Sequence, residues 1–247
     1  METFKGKIQD FKLSTSQNSV VVVGYFDGLH HYHQELLRQA SEIAQKNNLK
    51  LIVVTFSKKI GTSNQTADLM SEKTKKDFLV QNYQIDDYLI LTVDDYLISL
   101  SPQDFVNWLK KGLKTVKMVE GADFRFGHFA KGNVATLQKT FGEENVTILP
   151  RQNKVSSTII REQLQNGKID EALENLGHDL TIDISTQENG NLIKYSWVAP
   201  NIVFPPNKYQ LETSNGQKVI LDYHSPTNFS FQPERLDSEI LYLKKQK

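Results

Sequence analysis

The sequence predicts an α/β fold: a doubly wound parallel sheet followed by a small C-terminal antiparallel β domain. Over about the first 180 residues, short apolar runs rich in β-branched residues alternate with segments of helical periodicity. Such alternation favours a parallel sheet with helices on both faces. After Leu180 the helical segments stop, and apolar runs are separated by turn signals such as Asn215-Gly216, which is typical of antiparallel strands.

Five runs in the first part are predicted to be strands because they are short, apolar and flanked by polar or glycine-containing segments. They are Val20–Tyr25, Leu49–Phe56, Tyr88–Val93, Val116–Glu120 and Val146–Leu149. The segments between and after them carry apolar residues at helical spacing. Helices are predicted at Gln34–Lys46, Ser71–Asn82, Pro102–Leu113, Asn133–Phe141, Ser156–Asn166 and Ile169–Leu176. Ser101-Pro102 indicates a helix start, and Gly177 indicates a helix end.

The second part contains five predicted strands and no helix of useful length. The strands are Thr181–Ser185, Leu192–Val198, Tyr209–Thr213, Lys218–Tyr223 and Glu239–Leu243. This change predicts a boundary near residue 180, and hence domains 1–180 and 181–247. A β domain of about 67 residues is marginally stable by itself, so we expect it to lean on the first domain.

Composition narrows the class of function. Lys and Arg together number 29, as do Asp and Glu, so net charge gives no support to a nucleic-acid partner. The chain has no cysteine, which excludes disulfides, thiolate metal sites and cysteine nucleophiles. The first twenty residues are too polar for a signal peptide, and no apolar run is long enough to span a membrane. These features predict a cytoplasmic protein that has no membrane partner.

The polar and glycine-rich clusters follow predicted strands rather than precede them. Residues 24–33 follow the first strand, 121–132 the fourth, and 151–158 the fifth. The carboxyl ends of parallel strands share one edge of the sheet, where ligands bind, so we expect these clusters to converge. In the first cluster a strand, a glycine turn and His30 and His33 lead into a helix, an arrangement suited to phosphate.

Three motifs carry a family resemblance. The run GYFDGLHHYHQELL at residues 24–37 resembles the G-x-F-D-G-x-H-x-G-H-x-x-L-L element of the adenylyltransferase half of bacterial bifunctional riboflavin kinase/FAD synthetases. Residues 119–127, VEGADFRFG, are similar to that family's G-x-D/N-F-x-F-G segment, and residues 156–161, SSTIIR, to its S-S-T-x-I-R element. Thr55-Phe56 lies where the family has T-F. The motifs keep the family's order, and the resemblance covers residues 18–180.

The resemblance implies a Rossmann-like nucleotidyltransferase that transfers AMP from ATP to FMN, giving FAD and pyrophosphate. It implies Mg²⁺ bound with ATP and held by phosphates and water, with no metal-ligand set in the protein. The implied catalytic residues are His30 and His33, which can donate hydrogen bonds to phosphates, and Arg161, which can bind the pyrophosphate with two donors. The implied nucleotide-binding residues are Gly24, Phe26, Asp27, Gly28, Asp123, Phe124, Ser156, Ser157 and Thr158.

The chain departs from the family pattern at three places. Tyr32 replaces the glycine of the first motif, where a ring fills space needed for close approach of the nucleotide. Ser57–Ile60 replaces a proline-histidine-proline stretch. In the C-terminal part, Ala199-Pro200-Asn201-Ile202 lacks the threonine of the family's G-x-P-T-A-N element. A shortened, degenerate kinase half without riboflavin kinase activity is therefore predicted.

Two alternatives to FMN adenylyltransfer stay open. One is a catalytically silent nucleotide- or flavin-binding protein with a regulatory or interaction role, which Tyr32 and the eroded C-terminal part favour. The other keeps adenylyl transfer but changes the acceptor, because the acceptor side falls in loops where the motifs match least. The intact histidine pair and the SSTIIR segment favour the enzyme.

Overall fold

In the computed structural model, the described residues are 1–12, 17–61, 68–151, 155–190, 192–200 and 203–245. The chain forms two compact units. The first comprises Met1–Phe26, Tyr32–Thr66 and Leu79–Lys154, and the second comprises Asp27–His31, Ala67–Phe78 and Val155–Lys247. The short segment Asp27–His31 therefore leaves the first unit for the second directly after the first predicted strand.

The first unit contains a six-stranded parallel sheet. Its strands are β1 (Glu2–Gly6), β2 (Ser19–Val23), β3 (Lys50–Phe56), β4 (Asp87–Leu91), β5 (Thr115–Gly121) and β8 (Val146–Leu149), in the order β1-β4-β3-β2-β5-β8. A small hairpin of β6 (Arg125–Phe126) and β7 (Gly132–Asn133) follows β5. The order runs from β2 towards β1 on one side and towards β8 on the other, so the switch point lies between β2 and β5.

The α-helices that the described residues form between these strands are α1 (His31–Asn47), α2 (Glu72–Asn82), α3 (Asp95–Ser99), α4 (Pro102–Gly112) and α5 (Val134–Phe141). Ser101 caps α4 and Pro102 opens it, as predicted. The core of the unit is made by apolar residues of the sheet and of α4, including Val21, Val23, Ile52, Val54, Leu89, Val106 and Leu109. No helix within the described ranges is long and apolar enough to cross a membrane.

Among the described residues, the second unit contains a six-stranded antiparallel sheet, the helices α6 (Ser157–Gln165) and α7 (Ile169–Leu176), and the part of α2 that lies within Ala67–Phe78. The strands are β9 (Leu180–Asn189), β10 (Leu192–Ala199), β11 (Asn207–Thr213), β12 (Lys218–Ser225), β13 (Asn228–Gln232) and β14 (Ile240–Leu243), in the order β10-β9-β14-β11-β12-β13. Leu164 of α6 and Leu173 and Leu176 of α7 share one core with Ile182 and Leu241 of the sheet.

The predicted fold class is confirmed, since a helix-connected parallel sheet and a C-terminal antiparallel sheet are both present. The compact units do not divide at residue 180, because the apolar faces of α6 and α7 pack into the core of the second sheet. The domain division at residue 180, as a division of function, stays a prediction. Strands β1, β6, β7 and β13 and helix α3 were not predicted. Asn201 and Ile202, which belong to the segment compared with the G-x-P-T-A-N element, lie outside the described residues.

A buried carboxyl group joins β2 to β5 where the two strands separate. Their backbone pairing runs from Ser19 to Val21, and two residues later the Val23 N–H donates to Glu120 Oε1 at 2.8 Å. Glu120 is 1 % exposed, and burial raises its pKa well above the ordinary value of 4.5, with the Val23 hydrogen bond opposing this shift. The carboxyl group thus accepts a hydrogen bond from the buried Val23 N–H, which lies beyond the last backbone pair of β2 and β5.

We predict that Glu120→Gln removes one component of the pH dependence of stability. Above about pH 4.5 the unfolded chain loses a proton that buried Glu120 retains, so the free energy of unfolding falls with rising pH until the folded pKa is reached. The slope is up to about 1.4 kcal/mol per pH unit. Glutamine keeps an acceptor for Val23 and has no proton to lose, so this decline disappears.

Urea unfolding from pH 4 to pH 8 measures this effect. Glu143→Gln is the matched control, because Glu143 is an exposed acid of the same unit. An unchanged slope in Glu120→Gln, equal to that of the control, would contradict the assignment.

Candidate active site

The turn after β2 is built around Phe26. Gly24 continues the ladder, with its N–H donating to the Val54 carbonyl at 3.0 Å. Phe26 has φ +52°, in the left-handed region that a bulky side chain rarely adopts, and its ring lies over Gly24. A Cβ at Gly24 would stand 2.9 Å from the Phe26 ring. The glycine is therefore required by close packing, and the strained Phe26 marks this turn as a candidate functional segment.

The two motif histidines stand in different settings. His33 lies in the first turn of α1, and its ring meets the Phe26 ring edge-on with centroids 5.3 Å apart. His30 is buried and lies one residue before the helix begins. It follows Leu29, whose φ of +44° is incompatible with helix. His33 therefore belongs to α1, whereas His30 precedes it, and the catalytic roles of both histidines stay predictions.

A cleft of about 700 Å³ opens beside Gly24 in the first unit. Gly24 and Tyr25 after β2 and Phe56 at the end of β3 line its base, so it lies at the carboxyl ends of these strands. Thr55 fixes this base, since its hydroxyl donates to the Tyr25 carbonyl at 3.2 Å. The remaining lining residues are Lys59–Gly61, Leu97, Ile98, Leu100, Phe105 and Phe124–Ala130.

The walls of this cleft are aromatic and its mouth is apolar. The rings of Phe124 and Phe126 are stacked, with centroids 5.4 Å apart and an interplanar angle of 25°. Ile60, Ile98 and Phe129 line the cleft although they are 46 %, 43 % and 79 % exposed. Grouped exposed apolar residues of this kind are typical of ligand-binding surfaces. Of the predicted site residues, Gly24 and Phe124 are thus brought together here.

Asp123 lies on the exposed side of the same loop and pairs with a cation. Arg151 Nη1 donates to Asp123 Oδ2, and both side chains are partly exposed. The Arg151 guanidinium also stands 5.9 Å from the centroid of the Tyr32 ring, within cation–π range. Arg151 was not a predicted site residue, because only the order of β5 and β8 in the sheet places it beside Asp123.

In the second unit, Asp27 of the first motif meets Arg161 of the third. Arg161 Nη2 donates to Asp27 Oδ2, and the Leu69 N–H donates to Asp27 Oδ1 at 2.8 Å. Both charged side chains are buried. Burial raises the pKa of Asp27, while the charge of Arg161 opposes the rise. Arg161 thus holds the motif segment, and its predicted contact with pyrophosphate stays a prediction.

Two residues that were not predicted complete this network. Lys75 of α2 is buried close enough to Asp27 for their charges to interact, and burial lowers its pKa. His178 donates from Nε2 to the Gly28 carbonyl at 2.9 Å. Gly28 itself has φ +72°, and a Cβ there would collide with Leu69. The segment Asp27-Gly28 is therefore fixed by ion pairing, hydrogen bonding and packing.

The third motif begins α6. Ser156 caps this helix, since its Oγ accepts from the Ile159 N–H at 3.3 Å. Ser157 is partly buried and Thr158 is exposed in the first helical turn. Hydroxyls and N–H groups at a helix start favour anions, so nucleotide binding by these three residues stays a prediction.

We predict that removing Arg161 destabilises the second unit much more than removing a surface cation. In Arg161→Met the Asp27 carboxylate is left buried without its ion-pair partner, which costs about 3 kcal/mol of unfolding free energy. In Lys168→Met, which breaks the exposed pair with Glu171, the expected cost is below about 1 kcal/mol.

Denaturant titration of both variants and of Asp27→Asn/Arg161→Met checks this prediction. The double variant should recover part of the loss, because it also removes the buried carboxylate that has lost Arg161. Equal stabilities of Arg161→Met and Lys168→Met would contradict the structural role of the pair.

The chain is similar in sequence to proteins of one known family. The family model for FAD synthetase matches residues 12–162, which is more than half of the chain. A bifunctional riboflavin kinase/FMN adenylyltransferase of Bacillus subtilis is 31 % identical over 168 residues, covering 64 % of this chain and 53 % of that protein. The bifunctional protein of the same description from Buchnera aphidicola subsp. Acyrthosiphon pisum is 31 % identical over 228 residues, covering 81 % and 73 %.

A crystal structure described as a macrolide-efflux protein from Streptococcus pneumoniae has a TM-score of 0.80 at 23 % identity and covers all of both chains. At this identity the likeness concerns the fold alone. The matched part of this chain spans about half the length of the first curated relatives, 53 % of the Bacillus protein and 56 % of that from Listeria monocytogenes. The family match, the ordered motifs and the fold agree: the chain belongs to the FAD synthetase family.

Proposed function

We propose that this chain is an FMN adenylyltransferase that transfers AMP from ATP to FMN, giving FAD and pyrophosphate. The observation that carries the proposal is the aromatic-walled cleft of about 700 Å³ at the carboxyl ends of β2 and β3. Membership of the FAD synthetase family supports a flavin as its occupant. Ligands of doubly wound sheets bind at this edge, beside the switch point.

The cleft suits a flat aromatic acceptor with an anionic tail. Stacked Phe124 and Phe126 offer a planar apolar wall, and aromatic ligands stack on such rings. Lys59 and Arg125 add positive charge to the lining. The isoalloxazine ring of FMN matches the wall, and its phosphate matches the cations.

In the proposed reaction an oxygen of the FMN phosphate attacks the α-phosphorus of ATP. A new phosphorus–oxygen bond forms, the bond from the α-phosphorus to the bridging oxygen breaks, and pyrophosphate leaves with that electron pair. The protein forms no covalent bond, so catalysis depends on alignment and on stabilising negative charge. We assign His30 and His33 to hydrogen bonding with the phosphates, and Ser157, Thr158 and the start of α6 to anion binding.

Mg²⁺ is assigned to ATP rather than to a protein site. Among the residues that the structure describes, no group of three or more His, Asp or Glu side chains could hold a metal ion. The proposal places magnesium on the phosphates of ATP and on water, which are its usual ligands in such enzymes. When bound, it neutralises charge on the phosphates.

The silent flavin- or nucleotide-binding protein is kept as the second candidate. The observation that favours it is Tyr32, whose phenol occupies the position of the motif glycine and is bonded to the Leu149 carbonyl. Lack of riboflavin kinase activity is proposed for either candidate, because the segment at 199–202 has no threonine.

We predict FMN-dependent release of pyrophosphate from ATP and magnesium, and its loss in His33→Ala. Removing one donor to the transition-state charge costs roughly 100-fold in rate, so kcat should fall by about that factor. The matched control His224→Ala removes a partly exposed histidine of β12 and should keep full activity.

Assays with FMN, riboflavin and no acceptor separate the alternatives. Release with FMN alone supports the proposal, and release only with another acceptor changes the substrate class. Flavin binding without any release leaves the silent binding protein. Formation of FMN from riboflavin and ATP would contradict the lack of kinase activity.

We also predict that Phe129→Ala weakens FMN binding about twofold to twelvefold, because one aromatic contact contributes about 0.5–1.5 kcal/mol. Phe129 is 79 % exposed, so its removal leaves the core intact. Leu192→Ala is the matched control, since Leu192 is 76 % exposed in the second unit. Quenching of flavin fluorescence measures both dissociation constants, and equal values for the two variants would contradict the placement of FMN in the cleft.

A further inference from the structure

Tyr32 covers the carboxyl ends of β5 and β8 in the first unit. It lies in the first turn of α1, and its phenol O–H donates to the carbonyl of Leu149, the last residue of β8, at 3.0 Å. Burial raises the pKa of Tyr32, and the nearby charge of Asp123 adds to the rise. The phenol therefore keeps its proton at neutral pH and remains a donor to Leu149.

The neighbouring backbone is shaped to accept this ring. Gly121 is the last residue of β5, and a Cβ at that position would collide with the Tyr32 phenol oxygen. Any larger residue at position 121 would push the phenol away from Leu149. Gly121, which is the first glycine of the motif at 119–127, thus leaves the space that the Tyr32 phenol occupies.

A charged pair covers the Tyr32 ring. The Arg151 guanidinium stands 5.9 Å from the ring centroid, and its ion pair with Asp123 ties it to the loop after β5. This edge of the sheet is therefore covered by three side chains: Tyr32 of α1, Asp123 of the loop after β5, and Arg151 of the segment after β8. Each makes a specific contact with another of the three or with the strand ends.

The strand ends on the two sides of the switch point therefore differ in how accessible they are to a ligand. On the β2 and β3 side the strand ends open into the cleft of about 700 Å³, whereas on the β5 and β8 side they are covered by Tyr32 and the Asp123–Arg151 pair. A ligand that spans the crevice of a doubly wound sheet needs both sides. One side is therefore ready for its ligand, and the other is filled by the protein's own side chains.

We propose that Tyr32 is a specificity-determining residue that limits nucleotide binding: ATP reaches the β5 and β8 side only after the phenol leaves Leu149 and Arg151 leaves the ring. This inference rests on the proposed function, which assigns the open cleft to FMN. Binding that requires a minor conformation is weakened by the fraction of molecules in that conformation. Removing the ring therefore strengthens ATP binding and leaves FMN binding unchanged.

Calorimetric titration with Mg²⁺ and an ATP analogue that carries a methylene group between the α- and β-phosphorus tests the proposal without turnover. Tyr32→Ala should bind the analogue about tenfold more tightly than the wild type. Tyr32→Phe, which keeps the ring and loses the hydrogen bond to Leu149, should bind about threefold more tightly. FMN affinity, measured by fluorescence quenching, should stay within twofold in both variants.

Tyr83→Phe and Tyr83→Ala are the matched controls. Tyr83 is a half-buried tyrosine of the same unit whose hydroxyl donates to the Gln34 carbonyl at 3.2 Å, and its removal should leave the analogue affinity unchanged. Thermal unfolding of each variant reports whether it folds, and Tyr32→Phe decides the outcome if Tyr32→Ala does not fold.

Unchanged or weaker binding of the analogue by the folded Tyr32 variants would overturn the inference. If the variants bind the analogue more tightly as predicted but no pyrophosphate is ever released, the role of Tyr32 is supported and the proposed function is wrong. If neither the wild type nor any variant binds the analogue, both the role of Tyr32 and the proposed function are wrong.

Discussion

The separation of β2 from β5 is the constraint on which the site depends. A crevice at the switch point forms only if these two strands part, and parting leaves a buried backbone N–H without a strand partner. Glu120 supplies the missing partner by accepting a hydrogen bond from the Val23 N–H. Burial raises the pKa of its carboxyl group, so Glu120 stays protonated to a higher pH than an exposed glutamate does. The turn at Gly24, the strained Phe26 and the base of the cleft all follow directly from this point in the chain.

The motif after β2 serves two purposes within a few residues. Gly24 and Phe26 shape the crevice of the first unit, whereas Asp27 and Gly28 are fixed inside the second by Arg161, Leu69 and His178. Buried ion pairs of this kind stabilise little in net terms but are costly to break. The motif therefore contributes residues to the packing of each unit, in addition to supplying candidate ligand-binding groups.

Local signals predicted part of the fold to the residue. The bounds of β8 and α7 match the structure, and Gly177 ends α7 with φ +74° as a left-handed cap. β1 was missed because Phe4 is the single large apolar residue among its five residues, and because the strand pairs with β4 at the sheet edge. Such a strand is defined by its neighbour rather than by its own sequence.

In the candidate site too, residues within a motif could be predicted from the sequence, whereas contacts between distant segments could not. Motif spacing identified Gly24, Asp27, Phe124 and Arg161, and the structure places them at the cleft or in the buried network. It could not identify Glu120, Lys75 or Arg151 as partners, because those contacts join segments far apart in sequence and depend on strand order and packing. Tyr32 stood out in the sequence as a departure from the motif, but its close approach to Gly121 is visible only in three dimensions.

Amide chemical-shift mapping with FMN determines whether flavin binds in the cleft of the first unit. If it does, the signals of Gly24, Gly127 and Ala130, which line the cleft, shift in proportion to bound FMN. The indole signal of Trp197 in β10 and the amide signal of Gly216 should stay in place. Shifts confined to Trp197 and its neighbours, with the cleft signals unmoved, would rule out flavin binding in this cleft.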